Sequence, residues 1–166
     1  MNYNVYTDGA CSGNPGVGGW AFIIIPDNHL ISRVYGHNLE TTNNRMELYA
    51  IIKALKYINS MVDKYARKRY TINVYSDSTY CINPIVEGWI ARWKKNNWIT
   101  SSNTPVKNQD LWEELDSLIE QSKFDINFYK VKGHSGNRYN EEVDKLAKKA
   151  VKVAKSGVNQ YVREAD

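Results

Sequence analysis

Tyr3-Asn4-Val5-Tyr6-Thr7-Asp8-Gly9-Ala10-Cys11-Ser12-Gly13-Asn14-Pro15-Gly16 is the stretch around which the chain is organised. Before Asp8, the β-branched and aromatic residues Tyr3, Val5, Tyr6 and Thr7 read as a strand. After it, Gly9, Ala10, Ser12, Gly13 and Gly16 are small enough for a bulky partner to approach the backbone closely. Gly18 to Ile25 reads as a second strand pairing back on the first, so Asp8 projects into a cleft lined with backbone N–H groups. Taken alone, Asp8 reads equally as a solvated residue of an Asp-Gly hairpin turn. The two readings are separated only by acids further along the chain.

The totals set bounds. A chain of 166 residues is long enough for one domain with its own core. Its 24% charged and 42% hydrophobic content is that of a globular protein. A formal net charge of +4 hints mildly at a polyanionic partner. Cys11 and Cys81 form no zinc pattern and suit a reducing compartment, and no disulfide is expected between them. No apolar run approaches membrane-spanning length and no signal-peptide core precedes the first strand, so a cytoplasmic monomer without membrane association is expected.

Outward from the opening stretch, Leu30 to Asn38 makes a third antiparallel strand. Thr41-Thr42-Asn43-Asn44 supplies N-cap residues for a helix over about Arg45 to Met61, with Leu48, Ile51, Ile52, Leu55, Ile58 and Val62 at helical spacing. Tyr65 to Arg69 is a basic connection, and Thr71 to Ser76 a fourth strand. Ser78 caps a short helix that Pro84 ends, kinks or restarts, and a further helix covers about Pro84 to Lys95. Ile99 to Asn108 is a polar loop, Gln109 to Gln121 a helix and Phe124 to Val131 a fifth strand. Lys132 to Arg138 is a glycine-containing loop, and Asn140 caps a last helix to about Lys155. The order predicts an α/β fold: a five-stranded mixed sheet, antiparallel meander first and parallel strands afterwards, flanked by helices. One domain over residues 1–155 and a polar, frayed tail over 156–166 are expected.

Three further acids fall where a surface acid is odd. Glu47, placed in the first turn of its helix, shares a stripe with Ile51, Ala54 and Ile58; the alternative is a carboxylate complementing the helix dipole. Asp77 ends the fourth strand, where α/β folds place ligands, unless it is only a helix N-cap. Asp144 lines up with Ala147 and Val151 rather than joining Lys145, Lys148, Lys149 and Lys152 on the outer face. Packed together, four acids repel and raise one another's pKa unless a cation intervenes. Oxygen ligands without His or Cys select a hard ion, Mg²⁺ or Mn²⁺. Two such ions can activate a water and stabilise the leaving oxygen of a phosphoryl displacement.

The chain resembles the type 1 ribonucleases H, which cut the RNA of RNA/DNA hybrids. The resemblance rests on Thr7-Asp8-Gly9 with Gly13-Asn14-Pro15-Gly16, Thr41 to Leu48, Ser76-Asp77-Ser78, Trp89 to Trp98, Pro105 to Asn108, Val131 to Gly136, and Asp144. It implies a ribonuclease H-like fold and a catalytic, metal-binding set of Asp8, Glu47, Asp77 and Asp144, with two ions present in the substrate complex. It implies that His134 assists turnover by moving a proton or helping product leave, although in isolation His134 reads as an ordinary loop histidine. It implies 5′-phosphate and 3′-hydroxyl products. Asn14, Asn43 and Asn44 match contacts to the hybrid's minor groove, where 2′-hydroxyls mark RNA, and Thr42 and Asn108 match positions that grip the DNA backbone. Trp89, Arg92, Trp93, Lys94 and Lys95 match a basic protrusion on the DNA strand; the alternative is an amphipathic helix with core tryptophans and a solvated cationic face.

Two departures bear on substrate grip. Glu40 stands where many members carry arginine, and Thr79 and Pro84 stand where bacterial relatives often carry a glutamine and no proline. Two rival readings share the fold: a hybrid-binding module without catalysis, and a transposase, resolvase or exonuclease of the same architecture. The intact acids oppose the first; the Gly-His loop and the basic protrusion oppose the second.

Overall fold

The computed structural model describes residues 2–27, 30–62, 69–133 and 136–157. A five-stranded sheet runs in the order β3-β2-β1-β4-β5. Strands β1 (Asn2–Gly13), β2 (Gly16–Pro26) and β3 (Ser32–Thr41) form the antiparallel meander. Strands β4 (Thr71–Ser76) and β5 (Asp125–Lys130) add to β1 in parallel. This is the five-stranded mixed sheet, antiparallel meander first and parallel strands afterwards, that the sequence predicts.

The run Ala21-Phe22-Ile23-Ile24 is apolar at every position because helices cover both faces of the sheet. Phe22 and Ile24 pack into the main core with Val5, Ile72 and Val74, under helix α1 (Asn43–Met61). Ala21 and Ile23 face the other way, onto Val143 and Ala147 of helix α5 (Arg138–Lys155). Burial of such side chains contributes roughly 1.5–3 kcal/mol each, and this double layer makes the sheet centre rigid. Helices α2 (Thr79–Val86), α3 (Trp89–Lys95) and α4 (Gln109–Glu120) complete the fold, with Trp112 and Leu115 of α4 fully buried in the main core.

Several boundaries differ from expectation. β1 does not end at Asp8 but continues to Gly13, because pairing with β2 carries on to Gly13↔Gly16. β3 is shifted to Ser32–Thr41, so Thr41 belongs to the strand and Thr42 is the cap, its side chain accepting from the Arg45 amide. Helix α1 therefore starts at Asn43 and puts Glu47 in the second turn; no acid occupies the first. Pro84 does not open a helix. It sits in the last turn of α2, and the break falls at Gly88, whose φ of 73° suits glycine. The cap of α5 is Asn137, whose side chain accepts from the Asn140 amide, and not Asn140 itself. Most of the expected basic connection (residues 65–68) and the end of the tail (158–166) lie outside the described residues.

Candidate active site

Four elements meet at the carboxyl end of β4. Parallel pairing of β1 with β4 stops at Tyr6↔Tyr75, so Asp8 on β1 and Asp77, one residue past β4, both lie beyond the last paired rung. Asp77 is not the cap of α2: Ser78 is, its hydroxyl accepting from Cys81 N at 3.2 Å, and Ser76 Oγ accepts the Ser78 amide at 3.1 Å. The Asp77 carboxylate is thereby left to the cleft. Helix α1 brings Glu47 against β1 at Gly9, where a Cβ would collide with the backbone of Met46 and Glu47. On the opposite face α5 is seated in the same manner, since a Cβ on Gly19 would run into the Ala147 carbonyl. Gly9 and Gly19 are the seats of the two helices that carry Glu47 and Asp144.

Asp8, Glu47 and Asp77 each offer an oxygen within 4.8 Å of the others. Asp8 and Glu47 are only 3% and 6% exposed. Burial, reinforced by the charges of Asp77 and Asp144 and partly opposed by the Glu47 carboxyl, pushes Asp8 up to about 7. Burial and then the charge of Asp8 hold Glu47 well above the usual carboxylate range. Asp8 Oδ1 accepts the Gly9 amide at 2.9 Å, whereas Glu47 Oε2 is buried without a hydrogen-bond partner among the described residues. A buried, unpartnered carboxylate oxygen among like charges is costly by itself and suited to a cation. The donors are all oxygens, so the ion that fits is a hard divalent one.

Asp144 is placed differently from expectation. It lies close enough for its charge to raise Asp8, but it is outside the tight triad and its Oδ2 is 2.9 Å from Lys148 Nζ, one turn along α5. The acid does join a lysine, because i and i+4 share one helix face. A cavity of about 170 Å³ opens between Asp77, Asn140, Glu141, Asp144 and Lys145. Asn140, read from sequence as a cap, is 3% exposed, and its Oδ1 has no hydrogen-bond partner among the described residues. The sequence signal for it was present: it stands one helical turn before Asp144. His134 lies outside the described residues. Gly133 in the same loop comes within 3.4 Å of Asp77 Oδ2, measured from where its Cβ would stand.

The expected substrate residues form two groups. Asn14, in the β1–β2 turn at a cis Asn14–Pro15 bond, accepts the Asn43 amide at 3.3 Å, which ties that turn to Thr42, Asn43 and Asn44 at the start of α1. Asn108 reaches the same turn through Arg45, whose NH1 donates to its Oδ1 at 3.2 Å. The second group is α3 and its exit. Trp93 packs edge-on against Trp112 at 5.5 Å, while Trp89 and Trp98 flank Trp93 at 6.4 and 6.3 Å. Trp93 and Trp98 are thus packed on the core. Lys94 is bound to α4, 2.9 Å from Asp116 and 2.8 Å from Glu120, which raises its pKa. Arg92 and Lys95 are exposed and make no ion pair among the described residues.

Comparison with known proteins bears on the family and the fold. The family model described as RNase H matches residues 1–152. A protein named ribonuclease H from Caldanaerobacter subterraneus subsp. tengcongensis is 50% identical over 149 residues, spanning 89% of this chain and 90% of that one. Another of that name, from Acetivibrio thermocellus, is 48% identical over 149 residues, spanning 90% and 94%. Among solved structures, LC9-RNase H1, a type 1 RNase H with the type 2 active-site motif, superposes with a TM-score of 0.74 at 26% identity, covering 91% of this chain and 72% of that one. LC11-RNase H1, solved in complex with an RNA/DNA hybrid, has a TM-score of 0.66 at 21% identity over 90% and 99%, a likeness of fold.

Proposed function

Because the chain belongs to the ribonuclease H family, we propose that it is a divalent-metal-dependent endoribonuclease hydrolysing the RNA strand of RNA/DNA hybrids to 5′-phosphate and 3′-hydroxyl ends. The observation that carries this reading is the Asp8, Glu47, Asp77 cluster with its unpartnered, buried Glu47 oxygen. Those three residues, with Asp144 beside them, would hold the metal, Mg²⁺ or Mn²⁺, as two ions when substrate is bound. Such ions supply a nucleophile at neutral pH and stabilise charge on the leaving oxygen.

The chain's own residues do the rest. Gly9 seats α1 directly on β1, which sets the spacing of Asp8 and Glu47 before substrate arrives. Asn14, Asn43 and Asn44 present amide donors and acceptors suited to the 2′-hydroxyls of an RNA minor groove. Thr42 and Asn108 hold the DNA backbone. Arg92 and Lys95, with the exposed edges of Trp89 and Trp93, supply electrostatic grip on the same strand. His134, from the loop after β5, assists turnover by moving a proton or helping product depart. Residues 1–155 constitute the catalytic domain, acting as a monomer in the cytoplasm.

The deciding experiment offers strand-labelled RNA/DNA hybrid, duplex RNA and duplex DNA to the protein with Mg²⁺, Mn²⁺ or chelator. The expected result is internal cleavage of the hybrid's RNA alone, only with metal. Equal cleavage of duplex DNA, or cleavage in chelator, would overturn the reading.

A further inference from the structure

Asp144 faces two ways. Its charge reaches Asp8, yet its carboxylate stands outside the triad of Asp8, Glu47 and Asp77. Its Oδ2 lies instead 2.9 Å from Lys148 Nζ, one turn further along α5. The hydrogen bond to Asp144, and then the Asp144 charge, raises the Lys148 ammonium above its ordinary value, and the charge of Asp8 adds to both. Neighbouring lysines are placed differently: Lys145 lines the cavity beside Asp77 and Asp144, and Lys149 lies over the Tyr35 ring at 5.4 Å. Lys148 is the ammonium that meets the acid cluster.

We propose that Lys148 is a positioning residue that competes with the divalent ion for Asp144. Bound to the ammonium, this carboxylate is withheld from the ligand set; it joins Asp8, Glu47 and Asp77 by turning away from Lys148. The inference rests on the reading of the four acids as the metal-binding set. Three observations carry it. Clustered acids need positive charge from some source, because like charges repel, and at Asp144 Lys148 supplies it. The pair is open to exchange: the Lys148 side chain is 64% exposed and that of Asp144 29%, and an ion pair so close to water is weak. The exchange falls to the side chain alone. Helix α5 is seated on β2, with the Ala147 carbonyl where a Cβ of Gly19 would stand, so the helix cannot carry Asp144 inward. A carboxylate on a fixed helix serves either the ammonium or the ion, by rotation between staggered positions. Affinity for a hard ion follows the number of charged oxygens offered to it, so the position of Asp144 sets how tightly the ion is held.

The test titrates Mg²⁺ alone into the full chain, without nucleic acid, by isothermal titration calorimetry. Lys148→Gln is expected to lower Kd about threefold to fivefold, the effect of release from an exposed ion pair. Lys145→Gln removes the same charge from the same cavity without freeing a carboxylate, and should lower Kd about twofold or less. In an Asp144→Asn background Lys148→Gln should do no more than Lys145→Gln, because the carboxylate competed for is gone. Lys148→Arg should raise Kd, since a guanidinium grips a carboxylate with two bonds. Thermal melts add a second readout: in chelator Lys148→Gln should melt below wild type, and saturating Mg²⁺ should close the gap. Equal effects of Lys148→Gln and Lys145→Gln, or an effect that survives Asp144→Asn, would reduce Lys148 to long-range charge and overturn the assignment. A Tm lowered equally in chelator and in Mg²⁺, at unchanged Kd, would overturn it in favour of a purely structural pair. If wild type binds Mg²⁺ and Asp77→Asn does not, while Lys148→Gln leaves Kd unchanged, only the Lys148 assignment falls; a wild type that binds no divalent ion removes both readings.

Discussion

The ammonium of Lys94 lies 2.9 Å from the carboxylate of Asp116, with Glu120 at 2.8 Å on its other side. A cation held in this way fastens α3 to α4, and two carboxylates compete with any phosphate for it. In the proposed contact with the DNA strand, the basic protrusion would then divide by role: Lys94 as footing, Arg92 and Lys95, beside Trp89 and Trp93, as grip.

Arg92→Ala with Lys95→Ala should raise KM for hybrid with kcat almost unchanged, since these contacts hold ground and transition state alike. The log–log salt slope of binding should fall by about two, roughly one for each phosphate contact. Lys94→Ala should leave the slope alone and lower Tm slightly. Salt titrations of the double and single variants, run side by side with thermal melts, check this division. A slope lowered equally by Lys94→Ala would return that residue to the nucleic acid.

Asp77→Asn should abolish cleavage while hybrid binding persists, because affinity comes from backbone contacts spread over the surface whereas this carboxylate serves the metal. Cleavage near the wild-type rate across a range of Mg²⁺ concentrations would remove Asp77 from the set.

The acids should destabilise the metal-free fold at neutral pH. Asp8 is raised from 3.8 to about 7 in the folded chain, so between those values the folded state holds a proton that the unfolded state has lost. Stability from this group is then present at acid pH and is lost as pH rises through about 7. Glu47 is shifted in the same direction. In chelator, Asp8→Asn should consequently melt higher than wild type by an amount that grows from pH 4 to 7 and then levels, on the order of 3 kcal/mol at pH 8. Saturating Mg²⁺ should shrink the difference. A gain independent of pH would show that the variant acts through packing and not through charge.

Gly9→Ala should cost more than an ordinary surface change, on the order of 1–3 kcal/mol for an overpacked contact, since the added carbon meets backbone and not a movable side chain. Activity should fall further than Tm suggests, because α1 can make room only by carrying Glu47 away from Asp8. Chemical denaturation and metal titration of this variant measure the two effects separately.

What could be read in the sequence followed from local pattern. Asp8 and Asp77 were legible as acids at strand positions, and Glu47 as an acid on an apolar helical stripe; the three do converge. The sites that escaped depend on partners far along the chain. Nothing within Trp89 to Trp98 reveals that Asp116 and Glu120, on another helix, claim Lys94. Asn137 and Asn140 are both able to cap α5, and only the packing of Asn140 inward beside Asp77 and Asp144 decides between them. Pro84 could equally have ended or restarted a helix, and the structure places it in the last turn of α2, two residues before the end. The pairing of Asp144 with Lys148 is within reach of helical spacing alone, since i and i+4 share one face.

Gly9 and Gly19 have one more consequence. With no side chain between strand and helix on either face, the separation of main chains is already at its minimum, and neither α1 nor α5 can move inward. The cluster therefore works as a fixed gauge: ligand reach must be supplied by side-chain length alone. An acid shortened by one methylene, as in Glu47→Asp, meets a gap that no shift of the helix can close, so chemically equivalent carboxylates are not interchangeable at this position.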